Sequence, residues 1–567
     1  MASIIKKKIK NQIYYYLVES KRVNGKPRYT NQIYLGKAED ILEKIKSIDE
    51  LQKPEKASTF SFGAETALLQ LAERLDVVNI INRHVGKRSQ GISVGEYMLL
   101  AAINRAIAPT SKSKIADWYG GTVLKRLFRY KQDQLTSQRF WDNMNLLKQE
   151  HIAAIEADLT AKIVKEFEIG LECLLYDATN FFTYVDTNTE CKLPQRGHCK
   201  SKRNDLRIVG LALLVSRDFH IPLFHETYAG NLPDPVQFGS VSTKLIERVK
   251  KIQENLETVT FIFDKGNNSL DNHKKIYGSV VRVVGSLVQT HHADLLQIPK
   301  SEFIALDEEK YPGVSVHRMT KKVFEQERTV LVVYNEKLFL GQMQGINKDI
   351  NKCTLRLQEL SGRLENRETG LITKGKKPTI ESVEKRTKEI LSDKYMKRLF
   401  DVNIYQESGF PRISFSVNKG ALEDLQEVSL GKTILFTDNH DWTNEAIVEA
   451  YRGQYKIEDA FKLMKNPHFL SWSPQFHWTD QKIMVHTFYC ILTLTLCTLL
   501  CRELSRNKVD ISIPAMLEEL TKINEVLTTH GKTRQGKKQS QYLTVTDMNE
   551  VQQKMFDTFN LKQYQNN

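Results

Sequence analysis

The chain is predicted to have an α/β fold, on three observations. Four apolar runs between residues 166 and 295 read as strands: LECLLYD (171–177), LRIVGLALLV (206–215), TVTFIFD (258–264) and VVRVVGSLV (280–288). A helical stretch, Val241 to Leu256, lies between the second and third. Strands separated by helices form layered α/β sheets, and long stretches of helical periodicity flank this region on both sides.

Residues 1–60 are expected to form a basic β-ribbon, because two aromatic and β-branched runs flank Asn24-Gly25, a strong hairpin signal. This ribbon carries Lys6 to Lys8, Lys21, Arg22, Lys26 and Arg28, which suit a nucleic-acid backbone. Residues 61–165 read as helical: Ala64–Leu75, Val94–Ile107 and Lys114–Phe128 all have apolar positions at helical spacing. Short basic helices joined by turns fit a DNA-binding region, although many helical domains share the pattern.

The α/β core begins in residues 166–295 and is then interrupted. Residues 296–435 combine strand patterns (RTVLVVY, FDVNIY, RISFSV) with a helical hairpin. Met343, Ile346, Ile350, Cys353, Leu357, Leu360 and Leu364 form a heptad stripe. After the break GLITKGKKP, a second helical stretch runs from Ile380 to Phe400, so an antiparallel coiled coil is expected. The core resumes over 436–505 with one helix from Thr443 to Lys465, ending before Pro467. The run Ile483 to Cys501 is long enough to span a membrane, but it stands alone in a highly charged chain and is read as a buried helix. Residues 506–567 are expected to be a helical, basic tail with the cluster KTRQGKK (532–538).

Composition narrows the function. The 567 residues carry a formal charge of +14, which favours a polyanionic partner. The seven cysteines contain no CxxC pair, consistent with a reducing compartment. No Walker loop, HExxH or GxGxxG occurs. Cys191, His198 and Cys199 are a poor zinc set, because the adjacent pair cannot easily share one tetrahedral site.

Three carboxylates draw attention. Asp177 and Asp264 each end a buried run and precede polar residues, so each would face the crevice where α/β folds place ligands. The third, Glu458, lies in AYRGQYKIEDAFKLMK, where Tyr451, Glu458 and Lys465 repeat every seven residues on one helical face. Each acid has an ordinary explanation: a turn or cap for the aspartates, a pair with Lys462 for Glu458. Together they form a set of hard oxygen ligands for divalent metal, able to serve phosphoryl transfer. Basic residues follow: Lys200, Lys202, Arg203 and Arg207 after the first acid, Lys462 and Lys465 after the last. His486, in the apolar helix after Glu458, reads as a satisfied core histidine, with a supporting role at the metal as the lesser alternative.

The segments YDATNFF, FIFDKGNNS, YRGQYKIEDAFKLMK and SPQFHWTDQKIMVHTFYCILTL resemble the DDE transposases of bacterial insertion sequences, in the superfamily named after insertion sequence four. The resemblance implies an RNase H-like catalytic core. It assigns Asp177, Asp264 and Glu458 as catalytic, metal-holding residues for Mg²⁺ or Mn²⁺, with two ions expected. It also implies an insertion between Asp264 and Glu458. The family's Tyr, Arg, Glu, Lys pattern falls on Tyr451, Gln454, Glu458 and Lys465, so glutamine replaces the arginine, and Arg452 is a doubtful substitute. Lys265 stands where relatives often carry arginine, keeping the charge but not the bidentate fork.

The activity expected is metal-dependent cleavage at element ends followed by strand transfer into target DNA. Tyr451, Arg452, Gln454, Lys462, Lys465, Lys265, Lys200, Lys202 and Arg203 would contact DNA. The partners would be inverted-repeat ends and target duplex, bound by a homodimer in the cytoplasm at the nucleoid, with no membrane involved. The rival readings are an RNase H-like nuclease without strand transfer and a domesticated, non-catalytic DNA-binding protein.

Overall fold

The structure is a computed structural model, and it describes all residues except 1, 24–25, 50–53, 87–90, 187–189, 198–202, 204, 254–255, 280, 474, 531–539 and 566–567. The chain forms two compact units, one of Met1–Thr66, Gly121–Leu127 and Glu519–Asn567, the other of Ala67–Gly120 and Phe128–Glu518.

The first unit holds two small sheets. Strands Ala2–Ile9, Gln12–Val23 and Lys26–Gly36 form an antiparallel meander. The ribbon therefore has three strands, not the two expected. Lys10 and Asn11 both take positive φ (46° and 66°), as a tight two-residue hairpin turn demands, and pair Ile9 with Gln12. Asn24 and Gly25 lie outside the described residues. The second sheet pairs Pro54–Ser61 with Asn524–His530 and that strand with Ser540–Val545. The tail is thus part strand, contrary to the helical expectation: the β-branched residues of NEVLTTH find an edge to pair with at the other end of the chain. Arg126 anchors this sheet through both Glu525 oxygens, at 2.5 and 3.1 Å. The basic cluster 532–538 lies outside the described residues.

The second unit is built on a nine-stranded mixed sheet. Its strands are β1 (Cys173–Thr183), β2 (Arg207–Ser216), β3 (Pro222–Ala229), β4 (Thr260–Phe263), β5 (Arg282–Ser286), β6 (Ile304–Ala305), β7 (Val314–Val323), β8 (Gln326–Asn335) and β9 (Lys432–Thr437), in spatial order β6-β7-β8-β9-β5-β4-β1-β2-β3. β1, β2 and β3 form an antiparallel meander, while β4 and β5 add beside β1 in parallel. This antiparallel triplet followed by two parallel strands gives the α/β core expected of the chain. β2 is apolar along almost its whole length because helices cover both faces of the sheet.

The principal helices are α1 (Val94–Ile107), α2 (Ser137–Met144), α3 (Gln149–Phe167), α4 (Asp234–Lys250), α5 (Glu336–Glu368), α6 (Asn444–Arg452), α7 (Gln454–Lys465) and α8 (Asp480–Arg506). α1 opens with a capping box, Ser93 accepting from Glu96 N–H and Glu96 from Ser93 N–H. α8 contains the membrane-like run, and 94% of its most apolar 18-residue window is buried within the protein, against α1, α3 and β3 among others.

Two sequence expectations change here. The interruption is narrower than 296–435, because β6, β7 and β8 extend the central sheet; residues between β8 and β9 form the separate part. There the heptad stripe is real, with Ile346, Cys353, Leu357 and Leu364 buried. It packs not as a simple coiled coil but against a short helix, Ile380–Ile390, and a hairpin of Phe400–Glu407 and Phe410–Val417. The single helix expected over Thr443–Lys465 is two helices, α6 and α7, divided at Gly453. Gly453 sits close to the sheet: a Cβ there would lie 3.3 Å from Leu175 Cδ2 and from Ala450 O.

Candidate active site

Parallel register assembles the site. β1 and β4 pair Leu175 with Ile262, and two residues further on come Asp177 and Asp264. β4 and β5 pair Phe263 with Gly285, so Ser286 follows in the same row as Asp264. Asp177, Asp264 and Ser286 thus stand side by side on three adjacent parallel strands. Asp264 and Ser286 are at carboxyl ends, but Asp177 is in the middle of β1, which runs on through the polar residues to Thr183 rather than ending at the acid as expected. Neighbouring strands are about 4.8 Å apart, close enough for two carboxylates to share a cation.

The strand pleat decides which face they use. Tyr176 and Phe263 point toward α4, where both contact the Phe238 ring at 4.8 Å and Tyr176 Oη accepts from Gln237 Nε2 at 2.6 Å. Asp177 and Asp264, one residue later on each strand, point to the opposite face, where α6 and α7 pack. On that face the Tyr451 hydroxyl of α6 lies 3.1 Å from Asp264 Oδ1 and 2.7 Å from Ser286 Oγ, and Ser286 Oγ is 3.4 Å from the same carboxylate oxygen. The Ala178 N–H donates to Asp177 Oδ1 at 2.8 Å.

α7 runs along β1. Gly453, just before its first turn, meets Leu175, while Lys465, in its last turn, donates to Thr179 Oγ1 at 2.7 Å and lies 5.3 Å from the Phe181 ring centre. Asp177 is midway between Leu175 and Thr179. Glu458 is near the middle of the helical span, seven residues before Lys465 on the same stripe, about 10 Å back along the axis. Ile457, Phe461 and Met464 are buried and fix this rotation of the helix.

The backbone thus sets Glu458 abreast of Asp177, yet its side chain is exposed. Among the described residues no three aspartate, glutamate, histidine or cysteine side chains converge into a metal-binding group. The pair proposed for Glu458 on helical spacing is not formed either: Lys462 Nζ binds Asp459 Oδ1 at 2.8 Å.

The other candidates divide. Tyr451 and Lys465 face the aspartates and β1. Arg452 turns away and stacks on Tyr311, 5.1 Å from its ring centre. Gln454 is 8% exposed, with both amide atoms buried and, among the described residues, without hydrogen-bond partners, so it does not present its amide at the surface. Lys265 is exposed beside Asp264. Arg203 is held by both oxygens of Asp205, at 2.7 and 2.6 Å. Arg207 donates to Pro194 O at 3.0 Å. Lys200 and Lys202 lie outside the described residues, as do His198 and Cys199 of the zinc alternative; Cys191 is buried, its thiol donating to Trp478 O at 2.7 Å. His486 is a core residue, fully buried and bonded to Trp472 O at 2.7 Å and to the Tyr489 hydroxyl. Ser286 was missed in the sequence because a serine in VVGSLV carries no signal until its strand is paired with that of Asp264.

No family model matches the chain, and no curated protein does. A solved structure, the cryo-EM structure of piggyBac transposase synaptic complex with hairpin DNA, resembles it at 10% identity and a TM-score of 0.35, over 80% of this chain and 79% of that one.

Proposed function

We propose that this chain is a DNA transposase of the DDE type, in which Asp177, Asp264 and Glu458 form the catalytic centre. The observation that carries the reading is the juxtaposition of Asp177 and Asp264 on adjacent parallel strands, under a helix bearing Glu458 and Lys465. Two neighbouring carboxylates of like charge, backed by a third on a basic helix, suit Mg²⁺ or Mn²⁺, which bind hard oxygen donors. Such ions supply Lewis acidity to both oxygens of an in-line phosphoryl displacement.

In this reading the chain positions the DNA. Asp177 and Asp264 would hold the ions from the sheet, joined by Glu458 from α7. Tyr451 orients Asp264 by its hydrogen bond. Lys465, placed over Thr179, receives a phosphate next to the scissile bond, and Lys265 neutralises a second. The basic ribbon and helices bind the element ends, and two protomers join them. Strand transfer reuses the same site, with a freed 3′-hydroxyl as the nucleophile.

Purified Asp177→Asn and Glu458→Gln proteins should lose Mg²⁺-dependent cleavage of element-end DNA and retain binding to it. Undiminished cleavage by either overturns the assignment. A strand-transfer assay with precut ends separates a transposase from a nuclease that only cuts. The burial of Gln454 favours one second reading, a DNA-binding protein without catalysis; wild-type protein that binds ends but never cuts them would establish it.

A further inference from the structure

A cavity of about 180 Å³, separate from the carboxylates, opens between the segment after α1, helix α2 and the loop that leads into α8. It is far larger than one water requires. Its lining sets Arg105, Lys112 and His477 among serines and two aromatic rings. Lys112 is 8% exposed, and its ammonium donates to the Tyr489 hydroxyl at 2.6 Å and lies 4.3 Å from that ring centre. Among the described residues no carboxylate pairs with it. Burial and the charge of Arg105 press its pKa well below the lysine range. His477 is 5% exposed, and its Nδ1 has no hydrogen-bond partner among the described residues. The Arg105 guanidinium, also at the wall, donates to Ser473 O at 2.8 Å and Thr110 O at 3.2 Å, fixing the loop. An ammonium has three protons to donate, and a phenol satisfies one.

Burial disfavours the charged form of Lys112, and burial, followed by the Lys112 charge, does the same for His477; an oxyanion in the cavity would offset that cost and draw protons onto both groups. The rim adds a second preference. Trp141 and Phe476 line the same cavity and are 39% and 58% exposed. Exposed aromatic rings beside basic groups are the means by which proteins hold unpaired nucleotides, with the base on the ring and the phosphate on the cation.

We propose that this cavity binds one nucleotide of an unpaired DNA strand, its phosphate on Lys112 and His477 and its base against Trp141 and Phe476. The inference rests on the DNA-transacting function proposed above, and it gives that function a second contact apart from the carboxylates. The two are also mechanically linked. His477 meets His486 at 5.1 Å between ring centres, His486 meets Trp472 at 5.1 Å, and Trp472 stacks at 4.5 Å on Phe181, the β1 residue beneath Lys465.

The test is fluorescence anisotropy of a labelled hexathymidylate on the full-length protein in EDTA, with thymidine monophosphate, thymidine and inorganic phosphate as competitors. Trp141→Ala and Phe476→Ala, at the exposed rim, should each weaken binding about tenfold. Thymidine monophosphate should compete and thymidine should not, and Lys112→Met should remove that difference while circular dichroism remains unchanged. Competition by the monophosphate without binding of the strand would keep the site and make a free nucleotide its ligand. Wild-type affinity in both rim variants, or equal competition by thymidine, overturns the proposal. Because these measurements contain no metal, their failure is separate from a failure of the Asp177→Asn cleavage test.

Discussion

The Tyr451 hydroxyl lies 3.1 Å from Oδ1 of Asp264, across an interval of sequence that includes the whole insertion. Burial, followed by the Asp264 charge, holds this phenol well above the usual tyrosine range, so it remains a donor at any working pH. A carboxylate that also binds metal is oriented by such a partner. Tyr451→Phe keeps the ring and removes the donor. Mg²⁺-dependent cleavage should fall about 10- to 100-fold, with a higher Mg²⁺ requirement and unchanged thermal stability to within a few degrees. A Mg²⁺ titration of cleavage rate checks it; an unaltered curve would show that the contact does not tune the site.

Gln454 gives a prediction of opposite sign for stability. Its amide is buried, with no partner on either atom among the described residues. Replacing it by methionine, of similar length, should stabilise the protein by about 1–2 kcal/mol, because the desolvation cost of the amide is removed. Urea denaturation of the pair measures this, and a destabilised methionine variant would mean that the amide has a partner in solution.

Arg248 of α4 joins two buried acids. It donates to Glu156 Oε2 at 3.0 Å, to Glu226 Oε2 at 2.9 Å and to His225 O at 2.8 Å. His225 also bonds Glu156, and Lys244 bonds Glu226 at 2.5 Å. Arg248→Met would leave the carboxylates of α3 and β3 without their shared cation, at a cost of about 3–5 kcal/mol. Adding Glu156→Gln and Glu226→Gln should recover most of the loss. Chemical denaturation of the single and triple variants separates a charge effect from lost packing.

Glu65 governs a pH dependence. It is fully buried, accepts from Ser61 Oγ at 2.8 Å, and burial raises its carboxyl from 4.5 to about 7. Between those values the folded chain keeps a proton that the unfolded chain has released. Stability from this group is therefore lost as pH rises from about 4.5 to 7, and is constant above. The difference in stability between Glu65→Gln and wild type should grow in favour of the variant by about 3 kcal/mol across that window. A difference that stays flat with pH rules out the buried acid as its cause.

How much of this was legible beforehand depends on range. Asp177 and Asp264 could be found because a buried apolar run stops at an acid in each case; the run ends its strand at Asp264, whereas β1 continues past Asp177 to Thr183. The buried face of α7 was equally plain from Ile457, Phe461 and Met464. What could not be read was pairing across distance. Nothing local tells Ser286 that it will stand beside Asp264, or the NEVLTTH segment that a strand near residue 57 awaits it. The division of α6 from α7 was hidden for a related reason. Glycine within a helical pattern is tolerated, so nothing local marks Gly453 as the point where one helix gives way to the next. Lys462 likewise had two acids in reach, and helical spacing alone could not choose Asp459 over Glu458.

The insertion between β8 and β9 leaves and re-enters the sheet at one point. Tyr334 pairs with Lys432, and the Asn335 N–H donates to Gly431 O at 2.9 Å, with Gly431 at a φ of +75° that closes the loop as a turn glycine would. The sheet on either side therefore does not register what lies between these residues. A chain with a few turn residues in place of the whole segment could still form the β8–β9 hairpin, and another self-contained module of any length could be grafted there. In this sense the segment is a detachable accessory, free to diversify or be exchanged among descendants of the same core while the strands that carry the acids stay in register.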